Sequence, residues 1–434
     1  MPELTAMPAH VLASLIRTRA VSSAEVVEAY LRRIESVNRA INAVVQLAAG
    51  PALIRAREAD EALARGEIWG PLHGVPFTAK DVIETAGIVS AAGLEERQDF
   101  VPQLDAVVVA RMKAAGAILL GKTNCPPGGG GGLTDNPVYG PTLNPYNQAY
   151  SPGGSSGGCA AAVGAGLSPL SIGSDSGGSL RLPAHYCGVA TLKPTSGRVP
   201  NTGVFNHPGG LSDTRTQIGP LARSITDAWL AFTLIAGSDW CDSGVVDMPF
   251  GDPDSVSMEG LRIAVYEDDG QAPSTPATVA AVRAAAAVLN GLGATVAHAL
   301  PDCLPDAWAV TRGYWGMSDL TGDEVEQLLT RWDAFRTAML QFMRSRDLIL
   351  CPVDASPAHL LSEDGDPMKF NYTIPFSLTG WPCAVVRAGT SPDGLPIGVQ
   401  IVGRPWQEHV AVAAAHRIEQ ALVGGDWHVA SSVV

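Results

Sequence analysis

The sequence predicts an α/β fold in which a β-sheet is buried between layers of helices. Segments with helical hydrophobic periodicity alternate along the chain with short apolar runs that are typical of buried strands. Hydrophobic residues make up 46% of the 434 residues, which is enough to bury a large core. The compositional break at residues 237–257, rich in Asp, Gly, Ser and Pro, is typical of a surface loop. We therefore expect a single large domain over residues 1–434, with N-terminal helices in residues 1–70 and a glycine- and serine-rich core at about residues 74–220.

A capping box predicts the first clear helix. In Ser22-Ser23-Ala24-Glu25, the side chains of Ser22 and Glu25 can each accept a hydrogen bond from the other residue's backbone N–H. Apolar side chains then recur at helical spacing, at Val26, Val27, Tyr30, Leu31 and Ile34. Further helices are predicted over residues 52–64 and 106–115, and the glycine-bounded apolar run 117–120 predicts a buried strand.

The C-terminal half continues the alternation of strands and helices. Strands are predicted at residues 262–266, 348–351, 384–387 and 397–402, and helices at residues 277–292, 323–343 and 409–422. In the helix at 323–343, one stripe is apolar: Val325, Leu328, Leu329, Trp332, Phe335, Met339 and Phe342. We interpret this stripe as core packing rather than a ligand-binding surface, because such stripes normally face a core.

Composition and charge argue against several functional classes. The net charge is −14 and no cluster of Lys and Arg is present, so neither nucleic acid nor an anionic membrane is an expected partner. The start shows no signal-peptide pattern, and no apolar stretch is long enough to span a membrane, so we expect a cytoplasmic protein. The seven cysteines form no C-x-x-C pair and the nine histidines no H-E-x-x-H motif. No disulfide framework and no metal site are therefore predicted.

A P-loop pattern occurs at residues 116–123, but its context does not fit nucleotide binding. The pattern requires a strand, then a flexible loop around phosphates, then a helix. Here the four central residues are the predicted strand itself, and the following Asn124-Cys125-Pro126-Pro127 is a poor start for a helix. We predict no nucleotide site.

A nucleophile-elbow pattern, G-x-S-x-G, surrounds Ser155. An α/β-hydrolase-type esterase built on it would need a histidine, such as His359, His409 or His416. Such an elbow follows a hydrophobic strand, whereas residues 147–152 are polar and turn-like. This esterase hypothesis stays open as a less favoured alternative.

A longer set of motifs fills the glycine- and serine-rich middle of the chain and extends beyond it. The segments are 74–81 (GVPFTAKD), 121–124 (GKTN), 139–142 (YGPT), 144–145 (NP), 151–163 (SPGGSSGGCAAAV), 173–184 (GSDSGGSLRLPA), 217–220 (QIGP), 376–380 (FSLTG) and 395–405 (LPIGVQIVGRP). Together they resemble the amidase signature family of hydrolases over roughly residues 20–423, least around residues 258–345. The resemblance implies one large domain with a mixed central sheet covered by helices on both faces.

The resemblance also implies a catalytic trio of Lys80, Ser155 and Ser179, with Ser179 as the nucleophile and a cis peptide between Gly154 and Ser155. The chemistry is coherent, because a serine hydroxyl needs a base within hydrogen-bond reach, and a buried lysine can be neutral enough to serve. Ser155 would pass the proton between Ser179 and Lys80. The implied oxyanion hole consists of the successive backbone amides of Ser176, Gly177, Gly178 and Ser179. We interpret Asp175 and Arg181 as structural residues that flank this turn, and Ser156 as a supporting hydrogen-bond partner.

The expected reaction is hydrolysis of an amide C–N bond through an acyl-enzyme, without metal or organic cofactor. Ester and carbamate (urethane) hydrolysis are chemically close, since one nucleophile and one oxyanion hole serve all three. The open wall Gly128, Gly129 and Gly130, part of five successive glycines, replaces larger side chains of the family and predicts bulky or aryl substrates. Loops around residues 128–133, 201–215 and 309–319 are expected to complete the pocket.

The alternative is a glutamine-hydrolysing A subunit of a tRNA-dependent amidotransferase, working with a partner chain. That hypothesis predicts charged groups placed for a free amino acid and a longer C-terminal region. We favour a stand-alone hydrolase of small molecules, either a monomer or a homodimer.

Overall fold

The computed structural model describes residues 3–210, 212–363, 367–424 and 430 of the chain. Its strands are β1 (Val44–Leu47), β2 (Pro76–Lys80), β3 (Ile118–Thr123), β4 (Leu170–Asp175), β5 (Ala190–Lys193), β6 (Gln217–Ala222), β7 (Arg262–Val265), β8 (Thr295–His298), β9 (Leu348–Pro352), β10 (Cys383–Thr390) and β11 (Pro396–Gly403). Its α-helices are α1 (Ala9–Arg17), α2 (Ser23–Ile41), α3 (Ala49–Ala64), α4 (Val107–Ala114), α5 (Gly157–Gly164), α6 (Arg181–Cys187), α7 (Ile225–Ile235), α8 (Pro276–Gly291), α9 (Ala307–Trp315), α10 (Gly322–Met343), α11 (Ile374–Thr379) and α12 (Glu408–Leu422).

Within the described residues, the eleven strands form one mixed sheet in the order β1-β3-β2-β4-β6-β5-β10-β11-β9-β7-β8. Strand β2 runs parallel to β3 and β4, and β7 runs parallel to β8 and β9. The other neighbouring pairs are antiparallel. The predicted α/β fold with a mixed central sheet is confirmed.

Helices cover both faces of the sheet, because successive strand side chains point to opposite faces. On β9, Leu348 and Leu350 lie in a core shared with α8 and α12. Their neighbours Ile349 and Cys351 lie in a second core, which α9, α10 and α11 help to form. The sheet is therefore buried between two helical layers, as the sequence predicted.

The locally encoded helices lie where the sequence predicts them. The capping box is present: Ser22 N donates to Glu25 Oε2 at 2.7 Å, and Glu25 N donates to Ser22 Oγ at 3.1 Å. On α10 the predicted apolar stripe packs into the core, with Leu328, Trp332, Phe335 and Met339 buried. Leu329 was wrongly placed in that stripe; it is 47% exposed, since the residue next to Leu328 on a helix is turned by about 100°.

The sequence did not predict the strand that leads into the glycine- and serine-rich turn. Strand β4 is buried along its whole length, although its sequence, LSIGSD, lacks a continuous apolar run. A Cβ on Gly173 would lie 2.8 Å from Ser156 Oγ and 3.0 Å from Leu180 Cδ2. The glycine therefore allows the chain around α5 to approach the sheet closely. Because this close packing requires a small residue, β4 lacks the continuous apolar run by which a buried strand is recognised in a sequence.

The P-loop pattern is a strand, as predicted from its context. Lys122 lies within β3 and is buried, and its Nζ donates to Ile83 O at 2.5 Å and to Ser90 Oγ at 2.9 Å. Burial lowers the pKa of Lys122 to about 8, against the opposing effect of Asp81. Lys122 therefore makes its hydrogen bonds within the protein core. No helix among the described residues combines the length and the apolarity that a membrane span needs.

Candidate active site

The three predicted catalytic residues come from one edge of the sheet. Lys80 is the last residue of β2, and its parallel neighbour β4 ends at Asp175, just before the turn that carries Ser179. Ser155 precedes α5, and the peptide bond between Gly154 and Ser155 is cis. Because the carboxyl ends of parallel strands meet at the same edge of a sheet, residues distant in sequence converge here.

Lys80 is completely buried and contacts two serines. Its Nζ donates to Ser155 Oγ at 2.7 Å and to Ser174 Oγ at 2.9 Å. Burial lowers the pKa of Lys80 below its usual value, and it outweighs the opposing effects of Cys125, Cys159 and Asp175. The neutral amine that a general base requires is thus easier to reach than in a solvated lysine.

The lowered pKa of Lys80 predicts the pH dependence of hydrolysis. We expect kcat/KM to rise with pH along a limb whose midpoint lies below the usual lysine pKa of about 10.4, because a general base at Lys80 would need the neutral amine. Since the unfolded chain binds this proton more tightly, the free energy of unfolding should also rise with pH between the two values. A pH profile of kcat/KM, corrected for spontaneous hydrolysis, measures this; a limb centred at the usual lysine value would contradict it.

The turn after β4 borders a cavity through Ser176, Gly177 and Ser179. Its carbonyl groups are engaged elsewhere: Gly177 O accepts from Thr373 Oγ1 at 2.6 Å, Gly178 O from Leu182 N at 2.8 Å, and Ser179 O from Ser156 N at 3.2 Å. Within the described part of the chain, no acceptor is hydrogen-bonded to the amides of Gly177, Gly178 or Ser179. Backbone N–H groups left free in this way can bind an oxyanion. The last of the three carbonyl contacts also ties the turn to the segment that holds Ser155.

A buried ion pair holds the turn in place. Arg181 Nε donates to Asp175 Oδ2 and Arg181 Nη2 to Asp175 Oδ1, both at 3.0 Å, and neither side chain is exposed to solvent. Burial favours the neutral acid, but Arg181 outweighs it and holds the pKa of Asp175 below its usual value. Arg181 Nη2 also donates to Ser377 Oγ at 2.7 Å. These contacts agree with the structural role that the sequence suggested for both residues.

Ser156 supports the site rather than contacting Lys80. Its Oγ donates to Ser174 O at 3.0 Å, which joins the start of α5 to β4. Because Ser174 Oγ is one of the two acceptors of Lys80, this contact also fixes the surroundings of the lysine. The contact agrees with the predicted role of Ser156 as a supporting partner.

The cavity beside the turn has a volume of about 680 Å³. Ser176, Gly177 and Ser179 line it, together with the glycines at 128–132, the loop residues 206–208 and 212–213, and Thr216. Aromatic side chains form much of the remaining wall, at Trp308, Tyr314, Trp315 and Phe370. The segment predicted as a pocket loop at 309–319 is mostly the helix α9, which ends at Trp315, so that prediction was right about place and wrong about structure.

Sequence reasoning missed one wall, Pro367, Lys369 and Phe370. This wall lies about 190 residues beyond Ser179 in the chain, and no local pattern marks it. The nearest family motif in the sequence is the one at residues 376–380. Contact with the turn is close, since a Cβ on Gly178 would lie 2.9 Å from Phe370 Cδ1.

The glycine wall borders the cavity, as predicted, but its members are not equivalent. Gly128 and Gly129 have φ angles of +60° and +76°, which disfavour any other residue. A Cβ on Gly129 would also lie 3.1 Å from Val82 Cγ1. Gly130 has φ −94°, and the nearest atom to its missing Cβ is Pro127 O at 3.8 Å. A side chain is therefore tolerated at Gly130 alone of these three.

The nucleophile-elbow alternative finds no support in this geometry. Ser155 contacts the lysine Nζ, and no strand immediately precedes it. His359 Nε2 lies 3.0 Å from Asp354 Oδ2, while His409 and His416 belong to α12. The seryl–lysine contact replaces the seryl–histidine contact that an α/β-hydrolase requires.

Comparisons with known proteins identify the family of the chain. The sequence profile of the Amidase family matches residues 25–322 and 323–412. The chain is 34% identical to the A subunit of the glutamyl-tRNA(Gln) amidotransferase of Moorella thermoacetica, over 96% of this chain and 97% of that protein. It is 32% identical to an acylamidase of Rhodococcus erythropolis, over 98% of this chain and 97% of that protein.

Solved structures show the same architecture. A 6-aminohexanoate cyclic dimer hydrolase superposes with a TM-score of 0.86 at 29% identity, covering 96% of this chain and 97% of that one. A bacterial aryl acylamidase of the amidase signature family superposes with a TM-score of 0.86 at 26% identity, covering 98% of both chains. The chain therefore belongs to the Amidase family, the amidase signature enzymes that hydrolyse carbon–nitrogen bonds.

Proposed function

We propose that the chain is a stand-alone amidase in which Ser179 attacks the amide carbonyl, with Ser155 and Lys80 as proton carriers. The observation that carries this proposal is the 2.7 Å contact between Lys80 Nζ and Ser155 Oγ, in a segment hydrogen-bonded to the backbone of Ser179. Neutral Lys80 takes the proton of Ser155 while Ser155 takes that of Ser179. The tetrahedral oxyanion is held by the amides of the turn at 176–179.

Collapse of the tetrahedral intermediate breaks the C–N bond. Ser155 returns the proton to the departing amine, and Lys80 then restores the proton of Ser155. Water next attacks the acyl-enzyme through the same relay, which releases the acid and frees Ser179. Every proton in this sequence moves between groups of the chain, the substrate and water, so no cofactor is required.

The cavity supports aryl substrates of this amidase. A volume of about 680 Å³ is within the range of small-molecule pockets, and four aromatic side chains offer apolar faces for an aromatic ring. A short acyl amide such as acetamide would bury little apolar surface here and bind weakly. Aryl esters and aryl carbamates fit the same nucleophile and the same oxyanion hole, so side activities on both are part of the proposal.

Two observations favour a second candidate, the glutamine-hydrolysing chain of an amidotransferase. Curated relatives with that name match the chain at 34% identity over 97% of their length, so chain length does not separate the two candidates. Lys369 and Asp213 border the cavity, and a basic and an acidic group are what a free amino acid would need. The aromatic walls and the acylamidase relative favour the stand-alone enzyme.

Hydrolysis by the purified chain alone separates the candidates. Release of nitroaniline from an acyl nitroanilide is compared with release of ammonia from glutamine, at equal enzyme concentration and without any partner chain. The amidase proposal predicts a higher kcat/KM for the anilide. Glutamine hydrolysis with no anilide hydrolysis would favour the amidotransferase candidate.

The glycine wall predicts a change in substrate size preference. Gly130→Met should fill part of the cavity without backbone strain, lowering the ratio of kcat/KM for a nitroanilide to that for acetamide by about tenfold. Gly50→Met, at an exposed helical position with nothing within 4 Å, is the matched control and should leave the ratio unchanged. A wild-type preference for acetamide, or an unchanged ratio in Gly130→Met, would contradict this prediction without affecting the proposed mechanism.

A further inference from the structure

His207 lines the cavity, and one of its two ring nitrogens has no hydrogen-bond partner among the described residues. Its side chain is 13% exposed, and the unpaired atom, Nε2, is buried. Unpaired buried polar atoms are rare in folded proteins and call for an explanation. In a cavity that receives a substrate, the missing partner can be the substrate itself.

The other ring nitrogen is held by the protein. His207 Nδ1 lies 3.3 Å from Thr216 Oγ1 and 3.6 Å from Asp213 Oδ2. Thr216 donates its own hydroxyl hydrogen to Asp213 Oδ1 at 2.8 Å, so toward His207 it can only accept. Although burial favours the neutral acid, the nearby imidazole of His207 and the hydrogen bonds from Thr216 hold the pKa of Asp213 below its usual value.

These contacts fix the tautomer of the neutral imidazole. Both neighbours of Nδ1 are acceptors, so the proton lies on Nδ1 and the lone pair on Nε2. The same threonine joins the ring to the oxyanion turn, since Ser176 Oγ lies 2.6 Å from Thr216 Oγ1. Nε2 is thus a positioned hydrogen-bond acceptor.

The acceptor lies near the predicted base. The missing Cβ of Gly129 marks a point 3.2 Å from His207 Nε2 and 3.7 Å from Lys80 Nζ. Both nitrogens lie within 4 Å of that point, so they are less than 7 Å apart. His207 Nε2 therefore lies in the immediate neighbourhood of the predicted base.

We propose that His207 Nε2 is a specificity subsite that selects substrates carrying an N–H or O–H donor beside the scissile amide. The inference rests on the proposed amidase function and names the substrate class of that site. Anilides with a hydroxyl or amino group next to the amide, and carbamates with an N–H there, are preferred over isosteric substrates that present a methyl group. Asp213 and Thr216 act as positioning residues through the imidazole.

The test compares two isosteric pairs of anilides. Glycolanilide and propionanilide differ by hydroxyl against methyl on the acyl side, and the acetanilides with an ortho amino or an ortho methyl group on the ring differ on the leaving-group side. Wild-type enzyme should prefer the donor substrate of at least one pair by about tenfold in kcat/KM, the effect of one hydrogen bond. His207→Phe keeps a flat ring without nitrogen. In this variant the ratio of kcat/KM for the donor substrate to kcat/KM for its methyl partner should fall to about one. A loss of activity common to both substrates does not affect this ratio. His207→Gln, which can offer a carbonyl oxygen, should keep part of the preference.

Each outcome has a distinct meaning. A preference that persists in His207→Phe is electronic in origin and overturns the proposal. Equal kcat/KM within both pairs in the wild-type enzyme overturns it as well, even where a variant does not fold. Loss of hydrolysis of all four anilides in the wild-type enzyme would instead count against the proposed amidase function, so the two failures are distinguishable.

Discussion

Ser179→Ala is expected to abolish turnover, with a fall in kcat on the order of 10⁵–10⁶-fold on an acyl nitroanilide. The turn beside the cavity carries two serines, and the other one, Ser176, is hydrogen-bonded to Thr216. Lys80→Ala and Ser155→Ala should each lower kcat by several orders of magnitude, because each breaks the 2.7 Å contact on which the proposed proton relay depends. Circular dichroism and thermal unfolding check that each variant is folded.

Controls and labelling sharpen this test. Ser14→Ala, at an exposed position on α1, should retain full activity. A serine-directed sulfonyl fluoride should add one label per chain, located at Ser179 by mass spectrometry, and label no residue of Ser179→Ala. Near-normal activity of Ser179→Ala, with loss of activity in His409→Ala or His416→Ala, would favour the α/β-hydrolase alternative.

Among the variants considered, Arg181→Leu is expected to lose the most stability, about 3–5 kcal/mol in the free energy of unfolding. The change leaves the carboxylate of Asp175 buried without its cation, and it removes the hydrogen bonds to Thr373 O and Ser377 Oγ. The turn that carries Ser179 is anchored by the same carboxylate through Leu180 N at 3.0 Å. We therefore expect kcat to fall together with stability.

Urea unfolding measures the stability change. The control is Arg65→Leu, which breaks an ion pair with Glu67 in which both side chains are more than half exposed, and its midpoint should not move measurably. Replacing Asp175 and Arg181 together by Leu should recover part of the loss, since no buried charge remains. An unchanged midpoint for Arg181→Leu would show that the ion pair does not hold the turn.

Local sequence determined the helices and the positions of the candidate catalytic residues along the chain. The capping box at Ser22 and Glu25 and the stripe on α10 are properties of neighbouring residues, because a helix is made of hydrogen bonds between residues four apart. The motif positions of Lys80, Ser155 and Ser179 were likewise named from the sequence, through the family resemblance. Their meeting at the carboxyl ends of β2 and β4 follows from a parallel pairing that no local pattern specifies.

Tertiary structure alone decided strand β4 and the cavity. Strand β4 is buried despite its serines and glycine, because α5 approaches it closely enough to need a glycine at 173. The wall at Lys369 and Phe370 and the imidazole of His207 reach the cavity through contacts between distant parts of the chain. Side-chain directions at such positions depend on strand order and helix packing, which are set by the whole core at once. For this reason the sequence named the candidate catalytic residues, while the other residues of the cavity wall became visible only in the folded chain.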